Sequence, residues 1–319
     1  MQTTISDVLN RRWRALCKPH KDTVTKQWVT RDGPPRLASD EFNLFQGYVH
    51  KVLSDKKYES WRRDPELAPK FDLVHSHFLD IMADGNVEFN EYQLNWFSYV
   101  LRYGYEKVGT TLLYAGAEGT GKGLAIVDLM VKGIIGRRYA FICTDLKRFT
   151  GNFSAHREGK LLVIFNECCD TGTGKHADFD KIKAILTDVE FALERKGKEM
   201  YMSTDAAGYV FLSNWQNCAA LGNGDRRYVC NEISRARKGD HQYFNRLADA
   251  VHDPRVQQLW FNYLVRRDIS DWQRRDIPRT KLRDKLKEDK KCNMFLRYLK
   301  QVITRENDPW WFDPDLKDD

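Results

Sequence analysis

Short, continuous apolar runs recur along this chain, and polar residues follow each of them. Such runs are Leu112–Tyr114, Leu161–Phe165 and Tyr209–Ser213. They are typical of strands covered on both faces, as in a parallel sheet with helices on each side. Two further strands are predicted at Tyr139–Cys143 and Arg226–Val229. The pattern therefore predicts an α/β fold with a central parallel sheet.

Apolar residues at helical spacing lie between these runs. The spacing predicts helices around Phe71–Met82, Tyr92–Tyr103, Lys122–Lys132 and Phe179–Leu186. The aromatic residues of the second helix are expected in the core rather than on a surface that stacks on bases. Glu190–Met202 is predicted to form a hairpin.

The same pattern divides the chain into three parts. Residues 1–107 are expected to form an extended leading segment and a helical subdomain, residues 108–238 the α/β core, and residues 239–319 a basic helical region with an acidic and aromatic tail. An aromatic strand or turn is predicted at Phe42–Tyr48. A chain of 319 residues, 42% of them hydrophobic, is long enough to bury a substantial core.

A glycine-rich stretch stands between the first buried strand and the helix that follows it. In this setting backbone N–H groups converge on phosphate oxygens, the helix N-terminus adds positive potential, and a lysine supplies charge for the β- and γ-phosphates. The sequence therefore predicts an ATP-binding P-loop formed by Gly116, Ala117, Glu118, Gly119, Thr120, Gly121, Lys122 and Gly123. Gly123 replaces the hydroxyl residue that usually ligates Mg²⁺, so the metal must rely on phosphates, water and a carboxylate elsewhere.

Polar residues also follow the other buried strands, and ligands bind at this carboxyl edge of a parallel sheet. Lys122 would hold the phosphates, Glu167 would act as general base or orient a metal-bound water, and Asn214 would position that water. Asn166 stands where an aspartate is usual and would be a weak, neutral ligand of Mg²⁺, which is compatible with slow turnover. The alternative is a plain turn after the strand and a helix cap at Asn214.

Composition and charge add a candidate partner. The net charge is +7, and the excess lies toward the C-terminal third, where basic residues between Arg266 and Lys291 outnumber the acids. This excess indicates either a polyanion partner or a solvated helical face of mixed charge. The chain contains neither an apolar run that could span a bilayer nor a stretch of signal-peptide type, so a soluble intracellular protein is expected.

Cysteine and histidine spacing argues against a dedicated metal site. The seven cysteines never form a Cys-x-x-Cys pair, so neither a zinc ribbon nor a disulfide framework is supported. A site at Cys168, Cys169 and His176 is a weak alternative, because adjacent cysteines rarely chelate one ion. Other histidines lack ligand spacing and are expected to be structural or surface residues; these are His50, His75, His77 and His156.

Eight segments occur in the order found in the superfamily 3 helicase domain of viral and phage primase-helicases, of the poxvirus D5-like and DUF5906 type. Residues 40–285 resemble that domain. The segments are Gly116–Gly123, Phe149–Phe153, Asn166–Glu167, Lys183–Thr187, Glu194–Gly197, Ser213–Asn214, Asp225–Tyr228, and Arg267–Ile269 together with Ile277–Thr280.

The resemblance implies an AAA+ (ASCE) P-loop core, a hexameric ring around DNA, and ATP-driven translocation in viral, phage or mobile-element DNA replication. It assigns Glu167 the Walker B role, Asn214 the sensor 1 role, and Arg226 with Arg227 the intersubunit arginine finger. It also implies that the hairpin tip binds the DNA backbone, an exposed charged turn being the alternative. The residues of this tip are Arg195, Lys196 and Lys198. A primase or polymerase is expected on a separate protein, and a viral protein of this type would act in the host cytoplasm or nucleus.

Two other functions stay open. One is a DNA-binding ring subunit that binds ATP for assembly without efficient hydrolysis, which Gly123 and Asn166 favour. A P-loop nucleotide kinase is the weaker alternative, because Leu124 stands where such enzymes place a threonine. The tail at residues 308–319 is expected either to dock on a basic groove of a replication partner or to pack back on the domain.

Overall fold

Strands and helices alternate through most of the chain. The computed structural model describes residues 14–16, 41–43, 45, 47–104, 106–151, 154–167, 175–194, 199–214 and 227–286. The strands are β1 (Arg14–Leu16), β2 (Glu41–Asn43), β3 (Thr111–Ala115), β4 (Ala140–Cys143), β5 (Leu162–Asn166), β6 (Glu190–Leu193), β7 (Tyr201–Thr204), β8 (Gly208–Ser213) and β9 (Tyr228–Glu232). The helices are α1 (Asp55–Arg62), α2 (Leu67–Ser76), α3 (Val87–Arg102), α4 (Gly123–Ile135, with π-type hydrogen bonds), α5 (Leu146–Phe149), α6 (Lys175–Thr187), α7 (His241–His252) and α8 (Pro254–Arg266). A π-helical segment, His77–Met82, continues α2, and a 3-10 turn, Ala155–Arg157, precedes β5.

Five parallel strands form the central sheet in the order β4-β5-β8-β3-β9. The register pairs Ala115 at the end of β3 with Ser213 of β8 and with Glu232 of β9. At the end of β5, Asn166 pairs with Leu212 of β8. Because β8 lies between β3 and β5, the residue that follows it stands between the P-loop and the residue that follows β5.

Both faces of this sheet are covered, as the continuous apolar runs predict. Alternate residues of one strand point to opposite faces. Leu112 and Tyr114 of β3 belong to the larger hydrophobic cluster, to which α2, α3, α4, α7 and α8 contribute. Leu113 belongs to the smaller cluster on the other face, with Ile182 and Leu186 of α6. The predicted α/β fold with a central parallel sheet is therefore confirmed.

The aromatic residues of α3 lie in the core, as predicted. Trp96 and Phe97 are almost fully buried, and their rings meet edge to face at a centroid distance of 5.2 Å. Trp96 also donates its indole N–H to the Thr110 carbonyl at 3.2 Å. The indole hydrogen bond ties this helix to the residue just before β3, and these two buried side chains do not offer a stacking surface to a ligand.

Two helices begin earlier than predicted, and capping residues explain both differences. Helix α2 begins at Leu67, after a turn in which the Asp64 carboxylate accepts the N–H groups of the N-cap residue Glu66 at 2.9 Å and of Leu67 at 3.0 Å. Helix α3 begins at Val87 because the Asn86 side chain accepts the Phe89 N–H at 2.9 Å. Both caps precede the apolar period, so spacing alone did not detect them.

The predicted hairpin is present as the antiparallel pair β6 and β7. Asp205, between β7 and β8, joins this hairpin to the sheet through a buried polar cluster. Its carboxylate accepts hydrogen bonds from Arg157 and from the Tyr209 hydroxyl at 2.6 Å, and it lies 3.2 Å from the Lys107 ammonium. Lys107 also donates to the carbonyls of Ile185 and Asp188. One carboxylate thus serves two buried cations.

Several basic residues of the C-terminal third are engaged within the fold. Arg266 pairs with Asp55, Arg267 pairs with Glu91, and Arg274 donates to the Lys107 carbonyl at 2.9 Å. These three arginines connect helices to one another and to the loop before β3. Because these three side chains make contacts within the fold, fewer basic side chains of this region would be available to a polyanion partner.

Several predicted features fall outside the described residues. They are the hairpin tip with Arg195, Lys196 and Lys198, the finger residue Arg226, the cysteines Cys168 and Cys169, and the tail at residues 308–319. Within the ranges that the structure covers, every helix is too short or too polar to pass through a bilayer. The division into three parts at residues 107 and 238 stays a prediction.

Candidate nucleotide-binding site

The P-loop runs from the end of β3 to the first turn of α4, as its sequence predicts. Gly119 and Gly121 have φ angles of 75° and 87°, a left-handed conformation that glycine adopts without steric cost. At Gly116 the constraint is contact instead, because a Cβ atom there would lie 2.8 Å from the Cβ of Ile233 just beyond β9. Thr120 stabilises the loop by donating its hydroxyl to the Ala117 carbonyl at 2.9 Å.

Lys122 points into the concave side of this loop. Its ammonium group is buried and donates to the Gly116 carbonyl, to the Ser213 carbonyl at 3.3 Å, and to Asn214 Oδ1 at 2.6 Å. Backbone and side-chain oxygens thus accept hydrogen bonds from the ammonium group. The oxygens of a bound phosphate would take the same role. The positive charge is held at the position that the P-loop pattern requires.

Asn214 connects the lysine to two carboxylates. Its Nδ2 donates to Glu167 Oε1 at 2.9 Å and to Glu118 Oε1 at 3.2 Å, while its Oδ1 faces Lys122. The amide orientation is consistent, since an ammonium requires the oxygen and carboxylates require the nitrogen. The structure therefore brings Lys122, Glu167 and Asn214 together, as expected from the strand ends, and adds Glu118. Their catalytic roles stay predictions.

Glu167 has a strained backbone at the point where the chain leaves β5. Its φ angle is 53°, which is uncommon for a residue with a side chain and costs on the order of 1 kcal/mol. Its N–H donates to the Leu212 carbonyl at 2.9 Å, so β8 holds this conformation in place. Such strain clusters at functional sites, and here it accompanies the contact between the Glu167 carboxylate and Asn214.

The donor set fits Mg²⁺ only with help from a bound phosphate. Glu167, Glu118 and Asn166 offer the oxygen atoms that Mg²⁺ prefers, whereas Gly123 offers none. Among the described residues, no group of three or more His, Cys, Asp or Glu side chains could hold an ion without further ligands. A metal ion at this edge would therefore take phosphate oxygens and water as its remaining ligands.

Arg227 lies at the opposite edge of the sheet. Its carbonyl accepts the N–H of Thr111 at 2.7 Å, so it stands beside the amino end of β3 while the P-loop follows the carboxyl end. The five residues of β3 span roughly 17 Å. Arg227 therefore lies away from the P-loop of its own chain, and its predicted role stays a prediction.

Two contacts beside the loop do not follow from the sequence. Glu118 was assigned to the loop, but its contact with Asn214 depends on how the loop folds back across β8. His77, expected to be an ordinary histidine, lies against Gly121, where a Cβ atom would be 2.5 Å from its Cε1. Only the packing of the π-helical segment places His77 there, and no spacing in the sequence indicates it.

Comparison with known proteins gives matches to the core of the chain. Residues 114–227 match the model of a family described as "Family of unknown function (DUF5906)". A curated relative, the DNA primase-polymerase of Nitratiruptor phage NrS-1, is 26% identical over 144 residues, which is 44% of this chain and 20% of that protein. The resemblance to viral and phage primase-helicases of this type is confirmed.

Two solved structures of the NrS-1 C-terminal region share the fold. One has a TM-score of 0.57 and 20% identity over 68% of this chain and 51% of that chain. The other has a TM-score of 0.54 and 19% identity over 80% of this chain and 58% of that chain. This chain thus spans about half of that region and, in the sequence match, a fifth of the whole phage protein.

Proposed function

We propose that this chain is an ATP-dependent DNA helicase domain of viral, phage or mobile-element replication that works as a ring, with a hexamer as the expected form. The observation that carries the proposal is the contact chain from Lys122 through Asn214 to Glu167 at the carboxyl edge of the sheet. These are the positive charge, the polar positioning group and the carboxylate that phosphoryl transfer to water requires.

The geometry supports a separate role in the reaction for each of these side chains. Phosphate oxygens in the loop would replace the carbonyl oxygens that now accept from Lys122, and they would receive the loop N–H groups. Glu167 would polarise a water beside the γ-phosphate, and Asn214 would orient that water while keeping its bond to Glu167. A magnesium ion, when bound, neutralises charge on the β- and γ-phosphates.

A neighbouring copy would supply the remaining cation. Arg227 stands at the edge of the sheet away from its own P-loop, an arrangement that suits contact with the nucleotide of the next subunit. The name of the phage relative supports a role in DNA replication, and the hairpin β6–β7 is the expected contact with the DNA backbone. A primase or polymerase partner on a separate protein belongs to the same proposal.

DNA-stimulated phosphate release tests the proposal directly. Wild-type protein should release phosphate from ATP faster with single-stranded or forked DNA present, and Lys122→Ala should abolish release. Asn214→Ala should lower kcat by about 100-fold with a smaller effect on ATP affinity, because the residue acts mainly on the attacking water. Equal release by wild type and Lys122→Ala would rule out hydrolysis at this P-loop.

One structural feature favours a second candidate function. Gly123 gives Mg²⁺ no ligand, and, apart from its chain neighbours and the adjacent backbone of its own helix, no described atom lies within 4 Å of where its Cβ would be. A site with so few metal ligands suits a DNA-binding ring subunit that uses ATP for assembly and hydrolyses it poorly. An ATP-dependent increase in particle mass without phosphate release would support this function, whereas release together with unwinding would reject it.

A further inference from the structure

His77 connects the P-loop to helix α7. It is the first residue of the π-helical segment, and its side chain is 1% exposed. Its Nδ1 lies 3.0 Å from the hydroxyl oxygen of Tyr243 on α7. The imidazole is therefore fixed on one side by a residue far along the chain.

The other side of the ring rests on the P-loop backbone. A Cβ atom at Gly121 would lie 2.5 Å from His77 Cε1, 2.8 Å from His77 Nε2 and 2.9 Å from Phe244 Cε1. His77 and Phe244 thus occupy the space that glycine leaves open. Gly121 directly precedes Lys122, so a change in the Gly121 peptide changes the direction of the lysine.

Both groups of the His77–Tyr243 pair are neutral at physiological pH. Burial lowers the pKa of His77 to about 4, although the Gly121 backbone acts to raise it. Burial also raises the pKa of Tyr243 to about 12, so its hydroxyl keeps its proton. A backbone group that favours the protonated imidazole acts as an acceptor, so we assign the ring hydrogen to Nε2, the nitrogen on the side of Gly121, and the acceptor role to Nδ1. Tyr243 then donates to Nδ1, and Nε2 carries the hydrogen.

Gly121 is close to this Nε2–H, but among the described residues no acceptor meets it with the distance and angle of a formed hydrogen bond. The Gly121 carbonyl already accepts the Ala125 N–H at 3.1 Å, in the first turn of α4, and a carbonyl oxygen can accept two hydrogen bonds. A buried donor without a formed hydrogen bond is costly, and the Gly121 backbone that influences this ring belongs to the P-loop. A small movement of that peptide would complete the bond.

We propose that His77 is a positioning residue for the P-loop: when nucleotide occupies the loop, Gly121 accepts a hydrogen bond from Nε2–H, which ties the loop to Tyr243 on α7. This inference rests on the proposed function, because it requires a nucleotide in the loop. It deepens that function by giving the helical layer a direct contact with the nucleotide site.

Binding of a non-hydrolysable β,γ-imido analogue of ATP with Mg²⁺ to the full chain tests the inference. His77→Phe keeps a ring without a donor and should weaken binding about tenfold, whereas His77→Gln keeps an N–H donor and should stay within about threefold of wild type. The matched control is His75→Phe, because His75 makes a similar contact with Tyr263, 3.2 Å from Nε2 to the hydroxyl, away from the loop. This control should bind like wild type.

A spectroscopic signature separates positioning from a purely structural role. In protein labelled with ¹⁵N-histidine, the His77 resonances should show hydrogen on Nε2, and that proton should shift downfield when the analogue binds. Tyr243→Phe should remove the preference for hydrogen on Nε2 while leaving the ring packed. An unchanged His77 signal in wild type, together with normal binding by His77→Phe, would overturn this inference alone. Absence of analogue binding to wild type would overturn the proposed function as well.

Discussion

At the residue scale, Asn214 holds the candidate site together. One amide contacts Lys122 through its oxygen and both Glu167 and Glu118 through its nitrogen. In this state the lysine is kept among oxygens inside the loop, and two carboxylates are kept beside it. Entry of a phosphate would compete for the lysine first, so Asn214 relates occupancy of the loop to the position of Glu167.

Gly123 gives a prediction at this scale. Gly123→Ser places a hydroxyl in the open space at the start of α4, where Mg²⁺ at a P-loop takes a ligand. We expect Mg²⁺-dependent phosphate release to rise on the order of tenfold, which corresponds to about 1.4 kcal/mol in the activation barrier. Steady-state phosphate release over a range of Mg²⁺ concentrations measures this change.

Gly123→Ala is the control for that substitution. It fills the same space without an oxygen, so its turnover should match that of wild type. If Gly123→Ala and Gly123→Ser accelerate release equally, helix stability rather than metal ligation is the cause.

The sequence predicted those site residues that follow strands and not those placed by packing. Lys122, Glu167 and Asn214 were predicted to meet because the carboxyl ends of parallel strands share one edge. His77 reaches the loop because α2 and α7 pack against each other, although these helices lie more than a hundred positions apart in the chain. No local pattern encodes such a contact, and the same holds for the contact of Glu118 with Asn214.

At the element scale, the strands at the centre of the five-stranded sheet were predicted well because β3, β5 and β8 are buried on both faces. Their continuous apolar runs mark them directly, as in β5, where four of five residues are buried. Helix ends were predicted less well, since the side chains that accept the first N–H groups of α2 and α3, Asp64 and Asn86, lie outside the apolar spacing. The buried polar cluster around Asp205, which connects the hairpin to the sheet, could not be predicted from the sequence.

The buried polar cluster around Asp205 gives a prediction about stability. Asp205→Asn removes the carboxylate that serves Arg157 and Lys107, leaving two buried cations without a counter-charge. We expect the free energy of unfolding to fall by about 3 to 5 kcal/mol, as when one partner of a buried ion pair is removed. Urea denaturation followed by circular dichroism measures this loss.

Asp249→Asn serves as the reference for Asp205→Asn. Asp249 is an exposed residue of α7, so its loss of charge should change stability by no more than about 0.5 kcal/mol. Equal effects of the two substitutions would mean that the Asp205 cluster adds no more stability than a surface carboxylate.

At the scale of the whole molecule, the P-loop and Arg227 occupy opposite edges of one sheet. Two hydrophobic clusters cover the faces of that sheet, and the edges carry the polar chemistry. The fold and the resemblance to phage replication proteins were both reached from the sequence, because motif order and apolar pattern agree. The relation between copies is a proposal that only an assembly experiment can test.

Mixing two inactive variants tests that relation. The Lys122→Ala variant keeps Arg227 but has an inactive P-loop. The Arg227→Ala variant keeps its P-loop but lacks the cation for the neighbouring copy, and the loss of this cation should lower kcat by about 10³-fold. Mixed at equal amounts, they should recover phosphate release at about a quarter of the sites, since each site takes its lysine and its arginine from independently chosen neighbours. Mixed protein that stays as inactive as the separate variants would show that Arg227 does not act between copies.

The placement of Arg227 away from its own P-loop has a consequence when the concentration of the protein is low. Under the proposed function, an isolated chain in dilute solution would bind its nucleotide without hydrolysing it, because Arg227 would act only on the nucleotide of a partner. Total phosphate release would then rise more steeply than in proportion to protein concentration. Under the proposed function, copies present at low concentration would consume almost no ATP until enough of them had accumulated to meet.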